Sequence, residues 1–353
     1  MSRPARKMED VPSGGSTGGE SADRRPWVFI TWYPYCRRSD VLAEQIGARS
    51  YLVHFMKFKV PYLAPIKYVL QGARTAWILF KERPSVVLVA NPPFVAPLAI
   101  WVFSVVLGYR FAIDAHSGAF QHLRWKWSLP LQRFLARRAL TNIVTNEHME
   151  GIIRSWGAKA EKIQDLALNL NSQGPTRRCP RFHVVFVCTY SVDEPVDEVV
   201  KAARLLEDVD FTFTGDPFYA PRGFREGLPP NVHLTGFIPD SDYLALLRNA
   251  DVVLVLTKED HTMQRGGYEA MSLEKPLITS DWPLLKEVFS QGTIHVDNTA
   301  GTIVSAIGTM RGSAEAWKRE MGELKRERKR ISAAQVDRLY RVCCAAESVR
   351  RSG

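Results

Sequence analysis

The residues with the clearest chemical potential lie in a polar loop in the second half of the chain. Arg265, Gly266 and Gly267 are followed by Glu269, at the start of a run of good helix formers that ends before Pro276. A guanidinium and the first amides of a helix both favour an anion, and paired glycines allow close approach to the backbone. The pattern indicates an anion site. A tight turn with a solvated arginine and a first-turn glutamate is the alternative.

The runs on either side of this loop predict strands. Residues 251–256 read DVVLVL and residues 276–280 read PLITS, which are short, apolar and rich in β-branched side chains. The unit is therefore strand, loop, helix, strand. In an open α/β sheet the loop at the carboxyl end of a strand is where ligands bind.

The first half of the chain offers two further groups at predicted strand ends. A strand over 27–32 leads to Arg37 and Arg38, and a strand within 109–120 runs into Asp114 and His116. The arginines could reach an anion across a cleft or simply be solvated. Asp114 or His116 could take a proton or orient a substrate, since both types can act at neutral pH in a tuned environment. A turn aspartate with a hydrogen-bonded histidine is the alternative.

Local signals place the helix ends and weigh against a metal. Ser39 is predicted to cap a helix that stops at Gly47, and Asp240 or Ser241 to cap another. We therefore interpret the Asp-Ser-Asp run at 240–242 as a helix start, and we expect neither a metal nor a cofactor. The five cysteines form no CxxC pair, which argues against a zinc site or a disulfide framework and favours a reducing cytoplasm.

Charge divides the chain unevenly. Residues 25–170 contain 19 basic and 8 acidic side chains, whereas residues 171–310 contain 12 basic and 19 acidic ones. A basic first half indicates an anionic partner. Nucleic acid is not predicted, because zinc-finger spacing, an RNA-binding aromatic signature and a homeodomain-like helix are all missing. An anionic membrane surface or a lipid-phosphate acceptor fits better.

Aromatic and basic residues alternate in two segments of that first half. Residues 58–84 mix aromatic and aliphatic side chains with cations, and residues 122–139 place Trp125 and Trp127 around Lys126. The cations of and beside the first segment are Lys57, Lys59, Lys67, Arg74, Lys81 and Arg83. Such helices suit the bilayer interface, although a core-facing helix with a wet basic side is the commoner case. The two segments favour peripheral contact with a membrane.

No stretch is predicted to be a membrane span or a secretory signal. Residues 84–109 carry no charge, but Asn91, Pro92 and Pro93 divide them into a strand and a buried helix that ends at Gly108. Residues 1–24 are polar and of low complexity, so we expect a disordered leader rather than a signal peptide.

One segment resembles a known family. Residues 231–282, NVHLTGFIPDSDYLALLRNADVVLVLTKEDHTMQRGGYEAMSLEKPLITSDW, are similar to the nucleotide-sugar half of a GT-B glycosyltransferase, close to family 4. The resemblance implies an α/β fold with two Rossmann-like domains facing across a cleft. We expect a leader at 1–24, an acceptor-side domain at 25–170, a linker at 171–181, a nucleotide-sugar domain at 182–310 and a helical tail at 311–353 that could cross back to the first domain.

The resemblance also implies an activity. Members are hexosyltransferase-like, metal-independent and retaining, and we expect transfer from a nucleotide-sugar to a membrane-linked or cell-envelope polysaccharide or glycolipid acceptor. Donor contacts fall on Arg265, Gly266, Gly267 and Glu269, and the strand that ends near His116 lies close to the reacting sugar. The protein would then act on the inner face of the cell membrane.

Two departures from the family pattern concern the donor. His261 stands where members carry their first glutamate, with Glu259 and Asp260 beside it. The Arg and Lys that hold the diphosphate in the family are replaced by acidic and neutral residues, namely Thr189, Tyr190, Asp193 and Glu194. Positive charge must then come from Arg265, Lys258 or the other half. A GT-B epimerase and a catalytically silent binding subunit stay open as alternatives.

Overall fold

The computed structural model describes residues 25–34, 36–55, 63–116, 118–121, 123–164, 170 and 180–351. The side chains of residues 37, 121, 123, 124 and 349–351 are outside that description. The predicted leader at 1–24, nearly all of the predicted linker, and Lys57, Lys59 and His122 of the basic segments also lie outside the described residues.

Six parallel strands form the first sheet. They are β1 (Trp27–Thr31), β2 (Arg49–Leu52), β3 (Val86–Asn91), β4 (Arg110–Ala115), β5 (Asn142–Val144) and β6 (Ala160–Lys162). Their order across the sheet is β2-β1-β3-β4-β5-β6. β1 and β3 are buried at every position, as expected for central parallel strands covered on both faces. The strand predicted at 27–32 and the strand predicted within 84–109 thus lie side by side in the interior of the sheet.

Helices flank this sheet on both faces. They are α1 (Arg37–Ile46), α2 (Ala64–Glu82), α3 (Val95–Leu107), α4 (Gly118–Gln121), α5 (Leu123–Lys126), α6 (Leu129–Arg138) and α7 (Glu147–Ser155). α1 ends at Gly47 as predicted, because glycine adopts the left-handed conformation (φ 69°) that lets its amide bond the last carbonyls. The predicted cap at Ser39 is wrong: the helix begins at Arg37 after Cys36, so Ser39 lies in its first turn.

The uncharged segment at 84–109 divides as predicted. β3 ends at Asn91, and α3 begins at Val95 and stops before Gly108. Among the described residues, no helix combines the length and the apolar character needed to cross a membrane.

A second sheet of six parallel strands follows. Its strands are β7 (Phe182–Phe186), β8 (Val209–Phe213), β9 (Val232–Leu234), β10 (Val252–Val255), β11 (Leu277–Ser280) and β12 (Thr293–Val296). The order is β12-β11-β10-β7-β8-β9. The adjacent helices are α8 (Val196–Leu205), α9 (Asp240–Asn249), α10 (Arg265–Ser272), α11 (Pro283–Val288) and α12 (Ala300–Gly312). α9 begins after Pro239 with no side-chain cap, so the predicted caps at Asp240 and Ser241 are wrong.

One long helix contacts both halves of the molecule. The early part of α13 (Ala314–Arg351) contributes Met321 and Leu324 to the core beside α10. Its later part contributes Leu339 to the core around β1, and Glu347 accepts a hydrogen bond of 2.7 Å from the indole of Trp27. The two sheets are therefore tied together by a shared helix as well as by the chain.

Candidate active site

A cavity of about 600 Å³ lies at the carboxyl edge of the second sheet. Its walls come from the loops after β7, β8 and β9 and from the starts of α9 and α10, including Thr189, Asp216, Phe237, Tyr243 and Arg265. Parallel strands bring the ends of several loops to one edge, which is where α/β sheets bind ligands. The first strand, the loop and the helix of the unit predicted at 251–280 form one side of this cavity, through Val255, Gln264, Arg265, Gly266 and Glu269.

Glu269 lies at the base of the cavity. Its side chain is 5% exposed, and its two oxygens accept hydrogen bonds from the Tyr243 hydroxyl (2.5 Å) and from Nε of Arg265 (3.0 Å). Burial, with the nearby Glu269 charge, raises the pKa of Tyr243, so this phenol keeps its proton and donates. Each carboxylate oxygen can accept more than one hydrogen bond, so Glu269 can still receive hydroxyl groups of a ligand.

Gly266 and Gly267 are required by packing of α10. A Cβ on Gly266 would lie 2.9 Å from the Val187 side chain, and a Cβ on Gly267 would lie 2.6 Å from the ring of Phe289. Gly266 also lines the cavity, whereas the amide of Gly267 donates to the Gln264 carbonyl. The prediction that both glycines admit a ligand is therefore corrected for Gly267, whose missing side chain admits a protein ring.

Arg265 lies at the rim of the cavity, at the first position of α10. Its side chain is 54% exposed while its Nε bonds Glu269. A guanidinium in this position can bind an anion in the cavity. Arg265 lines the cavity, and its predicted contact with a donor stays a prediction.

The loop after β7 holds its own anion. The carboxylate of Glu194 accepts hydrogen bonds from the amides of Thr189 (2.9 Å) and Ser191 (3.0 Å) and from the hydroxyl of Thr189 (3.2 Å). Burial raises the pKa of Glu194, while the hydrogen bonds from Thr189 oppose that change. The amides that could receive a phosphate at this edge are thus occupied by a side chain of the same loop.

Lys258 does not reach the cavity lining. Its Nζ donates to the Val192 carbonyl (3.2 Å), and its backbone amide donates to the Asp193 carbonyl (2.7 Å). These bonds fasten the loop after β10 to the loop after β7. The predicted donor contact at Lys258 is replaced by a structural one, because the chain itself supplies acceptors closer than the cavity.

His261 faces the first half of the molecule. Its ring stacks on the ring of His148, with centroids 3.9 Å apart and planes 3° apart, and its carbonyl accepts from Asn146 (3.2 Å). Its φ of 57° turns the chain at this point. The residue at the family's first-glutamate position therefore makes a contact between the two halves, and it is not among the residues that line the cavity.

A buried charge cluster lies at the carboxyl edge of the first sheet. The side chain of Asp114 is 1% exposed and forms two ion pairs. One carboxylate oxygen lies 3.4 Å from Nε of Arg38, and the other lies 3.3 Å from Nε2 of His116. Arg38 also donates to the Ile163 carbonyl (2.9 Å). The predicted pair at 114 and 116 is thus brought together with Arg38. Arg37 begins α1, but its side chain lies outside the description.

The protonation states in this cluster follow from its charges. Burial alone would raise the pKa of Asp114, but Arg38 and His116 outweigh it and lower the pKa to about 2. Burial alone would lower the pKa of His116, but Asp114 outweighs it and raises the pKa to about 10. His116 is therefore an imidazolium at neutral pH. An imidazolium donates rather than accepts, which favours the orienting role for this pair over that of a base, and the catalytic role of Asp114 and His116 stays a prediction.

Tyr243 belongs to the cavity although no sequence pattern selected it. It lies within a helix pattern, where an aromatic residue is ordinarily a core residue, and only the fold brings its hydroxyl onto Glu269. Among the described residues, no three His, Cys, Asp or Glu side chains are grouped to hold a metal ion.

The second sheet and its helices match a known family. Residues 181–319 match the family described as Glycosyl transferases group 1. No curated protein matches the chain. Solved structures resemble nearly its whole length.

Sucrose-phosphate synthase from Thermosynechococcus elongatus has a TM-score of 0.71 at 16% identity, covering 92% of this chain and 100% of that one. HepE from Anabaena, in a complex with UDP and glucose, has a TM-score of 0.65 at 13% identity over 90% and 98%. The chain has the GT-B fold. A protein from Listeria monocytogenes whose name is that of a UDP-N-acetylglucosamine 2-epimerase shares it, with a TM-score of 0.54 at 12% identity over 84% and 91%. The group 1 match and the GT-B fold together support glycosyltransferase activity.

The packing role of Gly267 predicts a stability effect. Because Phe289 is fully buried, a methyl group on Gly267 must displace α10, and we expect Gly267→Ala to lower the free energy of unfolding by about 1–3 kcal/mol. Gly72→Ala is the matched control, since a Cβ there meets no atom within 4 Å, and it should be neutral or stabilising by up to about 1 kcal/mol. Urea unfolding measures both. Equal effects would contradict the packing role.

Proposed function

We propose that this protein transfers a sugar from a nucleotide-sugar donor to a lipid-linked or glycan acceptor at a membrane surface. The observation that carries the proposal is the cavity of the second sheet. It lies in the segment that matches the group 1 family, and its lining includes the buried Glu269 in the second turn of α10. The resemblance to family 4 favours retention of the anomeric configuration. No metal is assigned a role, because the charges that the reaction needs are supplied by side chains.

In this proposal the nucleotide binds in the cavity of the second sheet. Ribose hydroxyls donate to Glu269, whose carboxylate is held in place by Tyr243 and Arg265. Because the Glu269 carboxylate is held in place before the nucleotide-sugar binds, less entropy is lost when the nucleotide-sugar takes up one orientation. The UDP and glucose bound in HepE support a nucleoside diphosphate sugar as donor.

The leaving diphosphate needs positive charge, and this protein supplies it from two places. Arg265 lies at the cavity rim, and the cluster of Arg38 and His116 carries two cations against one carboxylate. Donors held in advance at the position of developing charge stabilise a transition state. Glu194 opposes this within the second half, because its carboxylate occupies amides that a phosphate could use.

The acceptor side is proposed to contact a membrane through an apolar face on α2 and α3. This face consists of Ile66, Val69, Trp77 and Phe80 on α2 and Val105 and Val106 on α3, which are between 48% and 75% exposed. Both helices pack on the same core cluster through their other sides. Large exposed apolar patches mark interaction sites, and a single run of exposed positions along each helix suits a flat apolar phase.

Basic side chains accompany this apolar face. The Arg74 guanidinium lies 4.1 Å from the centroid of Trp77, and the Lys81 ammonium lies 5.1 Å from it. Aromatic rings with cations at their edges bind where acyl chains meet anionic headgroups. We therefore propose peripheral attachment to an anionic membrane on the cytoplasmic side, which would present a lipid-linked acceptor to the cleft.

The structure gives each rival function one point of support. An epimerase shares the fold, as the Listeria neighbour shows, and it would convert the sugar nucleotide with no acceptor. A silent binding subunit is favoured by Glu194, which makes the phosphate position less electropositive. Products from labelled donors separate the three: a transferred sugar, an isomeric sugar nucleotide, or unchanged donor.

Loss of the Glu269 carboxylate is expected to impair donor use. Glu269→Gln should lower kcat/KM for the preferred UDP-, GDP- or TDP-sugar about 10- to 100-fold, the value of a hydrogen bond to a charged group. Glu274→Gln is the matched control, because Glu274 lies just beyond the same helix and bonds Lys325 on the surface. Donor turnover with and without acceptor is measured. If Glu269→Gln keeps wild-type turnover, the cavity is not the donor site.

Removal of the Glu194 carboxylate is expected to strengthen nucleotide binding. Glu194→Ala vacates the amides of Thr189 and Ser191 and removes a negative charge, so affinity for UDP should rise by about five-fold or more. Glu226→Ala, an exposed carboxylate in the same half, changes the net charge equally and should leave affinity unchanged. Calorimetry measures both. Weaker binding by Glu194→Ala would show that the carboxylate supports the site.

The apolar face is expected to bind vesicles. The protein should sediment with vesicles that contain phosphatidylglycerol more than with pure phosphatidylcholine, and Val105→Glu with Val106→Glu should lower the bound fraction about five-fold or more. Leu205→Glu, a change at an exposed leucine of the second half, serves as the control and should bind normally. A double variant that sediments as well as wild type would exclude this face.

A further inference from the structure

The loop between β10 and α10 spans residues 256–264 and leads directly into Arg265. Its start is fastened within the second half, where the hydroxyl of Thr257 donates to the Asp193 carboxylate (3.0 Å). Its end lines the cavity through Gln264, the residue before α10. A displacement of the middle of this loop would therefore move the residues at the rim of the cavity.

The middle of the loop contacts the first half at His261. The imidazole ring of His261 stacks on that of His148, with centroids 3.9 Å apart and planes 3° apart. The side-chain amide of Asn146 donates to the His261 carbonyl (3.2 Å). The ring and the backbone of one residue are thus held by two residues of the first half, which fixes the orientation of His261 as well as its position.

The two partners of His261 are held in place by α7. Asn146 is 2% exposed and precedes the helix, and its side-chain oxygen accepts from the Met149 amide (2.9 Å), as in a helix cap. The same side chain therefore caps α7 through its oxygen and bonds His261 through its nitrogen. His148 is the second residue of α7. One helix end thus sets the place of both contacts.

The backbone of His261 indicates that the contacts hold the loop in an unfavourable conformation. Its φ of 57° lies in the left-handed region, which residues other than glycine seldom adopt. Strained backbone persists where the surrounding contacts determine it. The ring stack and the Asn146 hydrogen bond are such contacts, so we expect the loop to take other conformations when they are lost.

Another contact between the halves lies away from the cavity. Glu287 on α11 accepts from Nε2 of Gln164 (3.1 Å) and lies 3.7 Å from Nζ of Lys162. No residue of α11 is among the described residues that line the cavity. Glu287 therefore joins the halves through a helix outside the cavity, whereas His261 joins them through the loop that ends at its rim.

We propose that His148 is a positioning residue for the donor site: by stacking on His261, it holds the loop that leads to Arg265 against the first half. The cluster of Arg38 and His116 belongs to that same half. A fixed loop keeps Arg265 and the cluster in one arrangement, in which both can face the diphosphate of a donor. Groups that are held in place before a ligand binds lose less entropy when it binds. The identity of the ligand rests on the proposed function, whereas the state of the loop does not.

Hydrogen exchange of the full chain tests the state of the loop. In His148→Ala the amides of residues 258–264 should exchange about five-fold or more faster than in the wild type, because local opening is easier when an aromatic contact is lost. His148→Phe keeps a flat ring and should restore slow exchange. Glu287→Ala removes a contact between the halves away from the cavity, so it is the matched control and should leave the exchange of this loop unchanged.

Calorimetry with UDP, GDP and TDP tests whether the position of the loop matters for the ligand. His148→Ala should weaken binding of the nucleotide that the wild type prefers by about 3- to 10-fold, the value of an aromatic contact. His148→Phe should restore the affinity, and Glu287→Ala should not change it. With donor and acceptor present, His148→Ala should raise KM by a similar factor and lower kcat less, a difference that a loss of stability alone would not produce.

Three results overturn the positioning role while the wild type binds a nucleotide. They are unchanged exchange of the loop in His148→Ala, faster exchange with unchanged nucleotide affinity, and a loss that His148→Phe does not restore. If the wild type binds none of the three nucleotides, the proposed function fails and the positioning role fails with it. Circular dichroism of each variant confirms that the fold is retained.

Discussion

The close approach of α10 to the second sheet is the constraint on which the cavity depends. Two consecutive glycines let the helix lie directly on Val187 and on the ring of Phe289. That contact fixes the direction of the helix, and so it fixes where Arg265 and Glu269 project. A side chain at Gly267 would move the helix, and Glu269 would lose its register with Tyr243 on α9. Binding chemistry in this half thus depends on packing that involves no ligand.

The two halves of the molecule carry opposite charge near the proposed site. The cavity of the second half is lined by several carboxylates, including Glu194, Asp216, Asp240 and Glu269, with Arg265 at its rim. The first half contains the cluster of Arg38, His116 and Asp114, in which two cations face one carboxylate. A diphosphate between them would meet repulsion on one side and attraction on the other. In our proposal the first half therefore contributes more of the charge stabilisation than the resemblance to family 4 implies.

The departures from the family pattern have physical explanations in the fold. His261, at the position where the family pattern has a glutamate, stacks its ring on His148 and so takes part in the contact between the two halves. Glu194 occupies the loop amides where the family places cations to hold the diphosphate. In our proposal both changes affect donor binding: the His261 side chain contacts the first half, and Glu194 supplies an internal anion. The shared helix α13 holds the halves that these residues connect.

Most of the architecture could be read from the sequence alone. Buried parallel strands are continuous apolar runs, so β1, β3, β10 and β11 were readable, and Gly47 and Gly108 ended helices because only glycine adopts the left-handed conformation easily. Motif order also selected Arg265 and Glu269, which both line the cavity. The helix starts were less secure: Cys36 and Pro239 precede α1 and α9, and neither is a residue that capping rules select.

The contacts of most candidate side chains followed from the folded chain and could not be read from the sequence. Lys258 and Arg38 are both cations beside strand ends, yet one binds the Val192 carbonyl and the other a buried aspartate. A long side chain bonds whichever partner the folded chain brings within reach, and those partners come from distant segments. Charge state follows the same rule, since Asp114 owes its low pKa to Arg38 from a distant segment as well as to the nearby His116.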